Sequence, residues 1–379
     1  HMCTSYQFTS YIHIMLHRNK NCNTFLENNP FAIMNSTFPL YYFGFAHFTN
    51  IIFYRTLWHF QFIGKTSLCY SWILFNKIQD FKSNSPTTVT LGTFDGVHLG
   101  HKKIIERLTQ HSPEKHQSLV LTFFPHPRMV LQEKSDIKLL NTIQEKADLL
   151  EKAGLQNLII HPFDQSFSQL SAEEFVKTIL VDQFNVGKII IGHDHRFGKN
   201  RSADIHDLIA FGQKYHFDVE QISAEEIDEV SISSTKIRNA LYDGNIHLAN
   251  EYLGYNYFLT GIVVKGKQLG RTIGFPTANL KIEEEYKLIP QNGVYVVKST
   301  IDQKEVFGMM NIGTNPTVGG QFQTIETNFL DFSGDLYDKE LKIELLYRIR
   351  SEEKFKSIEA LKKQISKDKM KTQDYINGK

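Results

Sequence analysis

The spacing of apolar residues changes once along this chain, and the change divides it. Between residues 87 and about 225, the β-branched runs TVTLGTF, SLVLTFF, NLIIHPF and KIIIG alternate with stretches of helical spacing, GHKKIIERL, TIQEKADLLEKAG and SAEEFVKTILVDQF. Runs this continuous suit strands buried on both faces. The alternation therefore predicts an α/β fold, a parallel sheet covered by helices on both sides. From Tyr257 the stretches FLTGIVVKG, GVYVVKSTI, KEVFGMMNIG, QTIETNFLDF and KELKIELLYRIR are short strands separated by glycine turns, and they predict an antiparallel barrel. SIEALKKQISKD predicts a C-terminal helix that closes it. The helical stretch IHLANEYLG lies between the two regimes and is read as a hinge.

At 379 residues, two or three domains are expected. Residues 76–250 and 257–379 are read as domains, and residues 1–75 as an extension of uncertain structure. The extension stands apart in composition. It holds every cysteine (Cys3, Cys22, Cys69), both tryptophans (Trp58, Trp72) and a single acid, Glu27. The leading His1-Met2 reads as a cloning remnant. Residues 28–54 carry no Lys, Arg, Asp or Glu, but NSTFP, AHFTN and Gly44 interrupt the apolar run that a membrane span needs. An adventitious upstream stretch, a membrane-associated segment and a docked accessory element all remain open for it. The cysteine-free body excludes a thiol nucleophile, a disulfide and a Cys-ligated zinc, and suits a reducing, cytoplasmic setting. No membrane is expected for residues 76–379. A net charge of +1 gives no electrostatic case for nucleic acid, so phosphate sites must be local.

The first dense stretch is GTFDGVHLGH, residues 92–101. Gly92, Gly96 and Gly100 let the backbone approach a ligand closely, and the helix that follows offers free N–H groups and a positive dipole end. His98 and His101 there can donate to phosphate oxygens and stabilise charge that grows when phosphorus is attacked. A glycine-rich turn with incidental histidines is the alternative; a zinc pair lacks a third ligand nearby. Two later stretches favour phosphate chemistry. IIIGHDHRFGKNR ends a strand with Asp194, Arg196, Lys199 and Arg201 in a glycine-bounded loop, and SISSTKIR sets Ser233, Ser234, Thr235, Lys236 and Arg238 at a helix start. Taken alone, Ser-Ser-Thr is also a good N-cap.

In the second half, GKQLGRTIGFPTANL (266–280) places Gly266, Gly270 and Gly274 around Arg271 in a loop able to wrap phosphates. It lacks the Gly-Lys-Ser/Thr ending of a P-loop. Pro276 fixes the backbone before Thr277 and Asn279, whose oxygens suit a hard cation such as Mg²⁺. Glu326 stands in TIETNF, where Ile325 and Thr327 should face opposite the carboxylate on a strand.

GTFDGVHLGH, TFFPHP, GHDHRFG and ISSTKIR, in this order, resemble the FAD synthetase (FMN adenylyltransferase) module of the bacterial bifunctional riboflavin kinase/FAD synthetase family. GFPTAN, NGVYVV, NIGTNPT and ETNFLDF resemble its riboflavin kinase module. The resemblance implies a Rossmann-like nucleotidyltransferase domain with a parallel sheet, followed by an antiparallel β-barrel kinase domain with a C-terminal helix. It implies that His98 and His101 serve adenylyl transfer and that Gly92, Phe94, Asp95, Gly100, Ser234, Thr235 and Arg238 bind ATP. Phe124, His126, Pro127, Asp194 and Arg196 would lie at the flavin. In the kinase, Gly266, Gly270 and Arg271 would bind ATP, Thr277 and Asn279 would hold Mg²⁺, and Glu326 would act as base on riboflavin. Riboflavin, FMN and ATP are the expected substrates. Many relatives carry a histidine two residues after that glutamate, where this chain has Asn328. Two rivals stay open at this point: an adenylyltransferase for another acceptor, and a flavin-binding or regulatory protein with impaired sites.

Overall fold

A computed structural model describes residues 57–378 apart from 64–65, 111–115, 133–134, 194, 224–231, 267 and 318–319. Most of the extension, and Asp194, lie outside the described residues. Seven strands form the first sheet: β1 (Leu57–Ile63), β2 (Thr66–Phe75), β3 (Thr87–Leu91), β4 (Gln117–Phe123), β5 (Asn157–His161), β6 (Val186–Gly192) and β7 (Asp218–Ile222). Their order is β1-β2-β5-β4-β3-β6-β7, parallel throughout except for the antiparallel β1–β2 hairpin. The expected parallel sheet is therefore present, with its helices on two faces. Alternation along each strand sorts the layers. Val89, Leu91, Leu119, Leu121, Ile189 and Ile191 join one apolar cluster, while Val120, Leu158, Ile160 and Ile190 join another with Ile104, Ile105, Ala147 and Leu150 from the helices Leu99–Gln110 and Ile143–Lys152.

Three sheet members escaped the sequence reading: β1 and β2, both within the presumed extension, and β7. β7, DVEQI, carries alternating polar residues because it lies at the sheet edge. β2 corrects the boundary after residue 75. Ile73, Leu74 and Phe75 pair in parallel with Asn157, Leu158 and Ile159, and Trp72 is buried in the cluster that holds Val120 and Leu158. The end of the presumed extension thus belongs to the sheet, where its apolar run covers the side of β5 away from β4.

The second half is a closed barrel of β8 (Phe258–Val264), β9 (Ala278–Lys281), β10 (Gly293–Ile301), β11 (Lys304–Thr317), β12 (Gly320–Phe329) and β13 (Glu340–Arg350), in the order β10-β11-β12-β9-β8-β13. All pairs are antiparallel, and β13 bonds both β10 and β8, which removes the open edges. The C-terminal helix Ile358–Ile376 is held to β13 by Arg350, whose guanidinium grips the buried Asp368 carboxylate at 2.7–3.1 Å.

The stretch read as a hinge, helix Ile246–Leu253, is welded to the barrel. Ile246, Ala249 and Leu253 lie in the same core as Leu259, Tyr295 and Leu345, and Asn250 donates to the Leu345 carbonyl at 2.9 Å while accepting from the Tyr257 N–H at 2.7 Å. A second tie joins the halves. Leu139 and Leu288 exchange backbone hydrogen bonds with the opposite segment, Leu139 N–H to the Tyr286 carbonyl and Leu288 N–H to the Leu139 carbonyl. Beside them the wholly buried Lys287 ammonium bonds Glu145 at 2.6 Å and the Leu140 carbonyl at 2.7 Å.

Candidate active sites

β3 is flanked by β4 on one side and β6 on the other, so chain connections leave it in opposite directions. Ligands bind in open α/β sheets at the carboxyl end of such a strand. There the chain turns through Phe94, Gly96 and Val97, all with positive φ, into helix Leu99–Gln110. A Cβ at Gly96 would meet the Leu140 side chain at 2.6 Å in a backbone of φ +89°, so only glycine fits. The turn is anchored by Asp95, which is buried. Its carboxylate accepts from the Leu140 N–H at 2.9 Å and pairs with Arg238 at 2.5 Å, while its carbonyl accepts from the Ser234 hydroxyl at 2.9 Å. Tyr255 donates to the Gly96 carbonyl at 2.6 Å. Helix Ser234–Tyr242, capped by Ser233, thereby brings its N-terminus against the turn before helix Leu99–Gln110.

His98 and His101 stack in this corner with centroids 3.7 Å apart and planes 20° apart, and Phe94 covers His101 at 5.0 Å. Burial lowers His98 to about 4; burial, then His98 and Lys146, hold His101 well below the ordinary histidine value. His126 is also lowered to about 4, by burial first and then by Arg238, Lys146 and Arg128; its Nδ1 accepts from the Arg128 N–H at 3.1 Å. At neutral pH all three imidazoles are therefore neutral. They bring hydrogen-bond donors rather than charge. The Nδ1 atoms of His98 and His101 are buried with no partner among the described residues. A buried polar atom left unpaired in a native fold calls for an explanation, and a ligand is one.

The expected residues fall into place unevenly. Gly92, Phe94, Asp95, Gly100 and Ser234 gather at the turn, and Thr235 is exposed one residue on. Arg238, expected on the phosphates, is 8% exposed and bonds Asp95 and the Lys138 carbonyl, which makes it a brace for the turn in this structure. Phe124, His126 and Pro127 follow β4 on one flank, and the exposed Arg196 follows β6 on the other. Phe124 packs on Tyr286 of the barrel half at 4.9 Å. Lys146 was missed. Its ammonium donates to the Thr93 carbonyl at 2.7 Å from a buried position. In the sequence it sits in QEKADLLEK, where a lysine reads as part of a solvated helix face.

In the barrel, Glu326 on β12 lies opposite Asn279 on β9. Thr277, just before β9, donates to Glu326 Oε2 at 3.3 Å. Ile325 and Thr327 are buried on the other face, as the strand alternation required. Asn328, also buried, donates to the Pro276 carbonyl at 2.7 Å and so holds the Gly-Phe-Pro-Thr loop. Gly270 accepts from the Phe275 N–H at 2.8 Å and closes that loop, with Arg271 exposed on it. Gly266 lies so close to the Asn279 amide that a side chain there would displace it. Thr277, Asn279 and Glu326 form one oxygen-rich cluster. No group of three His, Cys, Asp or Glu suited to a metal exists among the described residues.

The molecule thus joins an α/β domain, with a buried histidine pair at the switch point of its sheet, to a closed barrel that carries a separate loop-and-carboxylate cluster. Residues 80–236 match the FAD synthetase family model and residues 253–376 the riboflavin kinase model. The bifunctional riboflavin kinase/FMN adenylyltransferase of Buchnera aphidicola is 38% identical over 301 residues, covering 78% of this chain and 96% of that protein; the enzyme of the same name from Escherichia coli K12 is 35% identical over 290 residues, covering 76% and 92%. A solved structure titled macrolide-efflux protein, from Streptococcus pneumoniae, superposes with a TM-score of 0.73 at 30% identity, covering 80% of this chain and 98% of that one. The chain belongs to the bifunctional riboflavin kinase/FMN adenylyltransferase family. No helix of the described residues is long and apolar enough to cross a membrane.

Proposed function

We propose that the chain's two activities divide between these two clusters. The chain phosphorylates riboflavin to FMN with ATP in its second half and adenylylates FMN to FAD with ATP in its first. The rival acceptor and the impaired-site reading both lose to this, because each motif set sits in the half that the matching family model covers.

For adenylyl transfer, an oxygen of the FMN phosphate bonds to the α-phosphorus of ATP, the bond from that phosphorus to the β-phosphate bridge oxygen breaks, and pyrophosphate leaves. The nucleophile is already anionic, so no strong base is needed; positioning and charge stabilisation suffice. His98 and His101 donate to the phosphate oxygens as neutral imidazoles. The N-termini of helices Leu99–Gln110 and Ser234–Tyr242, with Gly92, Gly100, Ser234 and Thr235, hold the polyphosphate. Asp95 and Arg238 fix the turn that aims these groups. Phe124, His126, Pro127 and Arg196, with Asp194, hold the flavin end. The observation that carries this reading is the stacked histidine pair with two unpaired buried nitrogens at the switch point of the sheet.

For phosphorylation, the ribityl hydroxyl of riboflavin is a poor nucleophile, and Glu326 takes its proton as the oxygen bonds to the γ-phosphorus and ADP leaves. Gly266, Gly270 and Arg271 wrap the nucleotide phosphates. Thr277 and Asn279 supply the hard oxygen donors that fit Mg²⁺, an ion held largely by water and substrate phosphates. When bound, it neutralises charge on the transferring phosphate. We place residues 76–250, together with the strand that precedes them, in the first domain and 257–379 in the second, in a cytoplasmic protein.

The test crosses two substitutions with two assays. Glu326→Ala should stop FMN formation and spare FMN-to-FAD conversion, and His101→Ala should do the reverse so that FMN accumulates. Products are separated by chromatography. Loss of both activities from either variant, with the fold intact by melting, would sink the two-site division.

A further inference from the structure

We infer that Lys146 is a charge-positioning residue for adenylyl transfer, its buried ammonium shaping the phosphate turn through Thr93 and supplying the positive charge that an arriving phosphate balances. This rests on the histidine corner being the adenylyl-transfer site.

The geometry places Lys146 beneath that corner. It projects from helix Ile143–Lys152, is 2% exposed, and donates to the Thr93 carbonyl, which also accepts from the Thr122 hydroxyl at 3.1 Å. An ammonium has three donors. The Thr93 carbonyl is the one acceptor it meets among the described residues. Thr93 lies in the turn between β3 and the histidines, so the contact sets the depth of that turn. The charged and titratable groups that face it come from four elements. Asp95 comes from the turn, His101 from helix Leu99–Gln110 and His126 from the loop after β4; Arg238 stands behind Asp95 on helix Ser234–Tyr242. Its helix neighbour Glu145 is matched by Lys287 from the barrel half and does not serve it.

Counting formal charge in this corner leaves a surplus. Two cations, Lys146 and Arg238, face one carboxylate, Asp95, which Arg238 already engages. The histidines beside them are neutral. A buried cation without an anion is costly, and the cost shows as a lysine lowered to about 8 by burial, with Asp95 opposing. An ATP phosphate bound at the unpaired histidine nitrogens would remove that imbalance. The charge then favours the state in which negative charge on the transferring phosphoryl group is greatest.

The test uses the full chain, measuring kcat/KM for ATP in FMN adenylylation from about pH 6.5 to about pH 9.5, a quantity that reports the free enzyme. In the unaltered protein it should fall as pH rises through about 8, while riboflavin phosphorylation in the same sample lacks that limb. Lys146→Arg, which keeps its charge, should lose the limb and retain adenylylation. Lys146→Met should lose ~10²-fold in adenylylation at neutral pH, with phosphorylation within about twofold as the control on folding. No alkaline limb in the unaltered protein, a limb that survives Lys146→Arg, or a Lys146→Met adenylylation rate near normal would each overturn the role. Should Lys146→Met fail to fold, the other two profiles still decide. His101→Ala separates the two levels: if it keeps adenylylation, the site is misassigned, whereas loss there with a normal Lys146→Met removes only the role of the lysine.

Discussion

The two halves solve phosphate chemistry in opposite environments. In the first, the groups we assign to the reaction are buried and neutral: His98 is 3% exposed and lowered to about 4, and the cations around it sit under the turn. In the second, Glu326 stands on a barrel strand, partly exposed, with one weak contact from Thr277 at 3.3 Å. The difference follows from the nucleophile. An FMN phosphate arrives as an anion, and a dry corner of donors strengthens every interaction with the charge it creates. A ribityl hydroxyl arrives with a proton that must go somewhere, which calls for a positioned carboxylate rather than a ring of neutral donors.

The largest effect expected from breaking this contrast is at Glu326. Glu326→Ala should cut riboflavin phosphorylation by about 10²–10⁴-fold, the range of a positioned general base, and leave adenylylation untouched. His101→Ala should cost adenylylation about 10²–10³-fold, the range for removing one donor from a charge-stabilising site. A smaller loss at His101 than at Glu326 is part of the prediction, since the first site shares its task among several donors and helix ends. Steady-state rates for each half-reaction, on each variant, measure both.

Next in size is a change to the support of the first site alone. A chain shortened to begin at Phe75 loses Trp72 from the core and most of β2 from beside β5. Removing a large buried side chain costs ~3–5 kcal/mol, a drop of about 10 °C in the melting temperature of a domain of about 175 residues. Adenylylation should weaken with it on warming, before phosphorylation does. An unchanged melting curve would show that the strand is dispensable and restore the boundary first drawn at residue 75.

That boundary shows what the sequence could and could not disclose. Near-continuous apolar runs marked the central strands β3 to β6, and short runs between glycine turns marked every barrel strand except β9, whose ANLK lies in the stretch read as a phosphate and cation loop. β1 and β2 were lost because they lie in the stretch that its aromatic-rich, acid-poor composition set apart as an extension, and β7 because an edge strand needs only half its residues buried. The site motifs were legible as glycine, histidine and hydroxyl clusters at element ends. Their mutual placement was not. Asp95 and Arg238 are 143 positions apart, and nothing local announces that one residue read as a phosphate ligand pairs with another. Lys146 was hidden for a related reason: a charged residue in an amphipathic helix reads as solvent-facing, and only the tertiary fold buries it. The hinge reading failed likewise, since IHLANEYLG has the same spacing whether its apolar face meets a linker or the barrel core.

The smallest effect should come from Asn328, and it sharpens the contrast because it separates holding from chemistry within the second site. Asn328 donates to the Pro276 carbonyl, and its work is to hold the loop that carries Thr277, the residue that meets Glu326. Pro276 is exposed, so water can replace a lost donor there, and the cost of Asn328→Ala falls at the low end of ~0.5–1.5 kcal/mol for a net hydrogen bond. That corresponds to about a threefold rise in KM for ATP in phosphorylation with kcat nearly unchanged, the signature of lost uniform binding. Asn328→His restores a ring N–H donor at the position and should recover most of the loss. A fall in kcat of ~10²-fold on Asn328→Ala, with KM steady, would instead put this residue in proton transfer beside Glu326, and the second site would then share its task as the first one does.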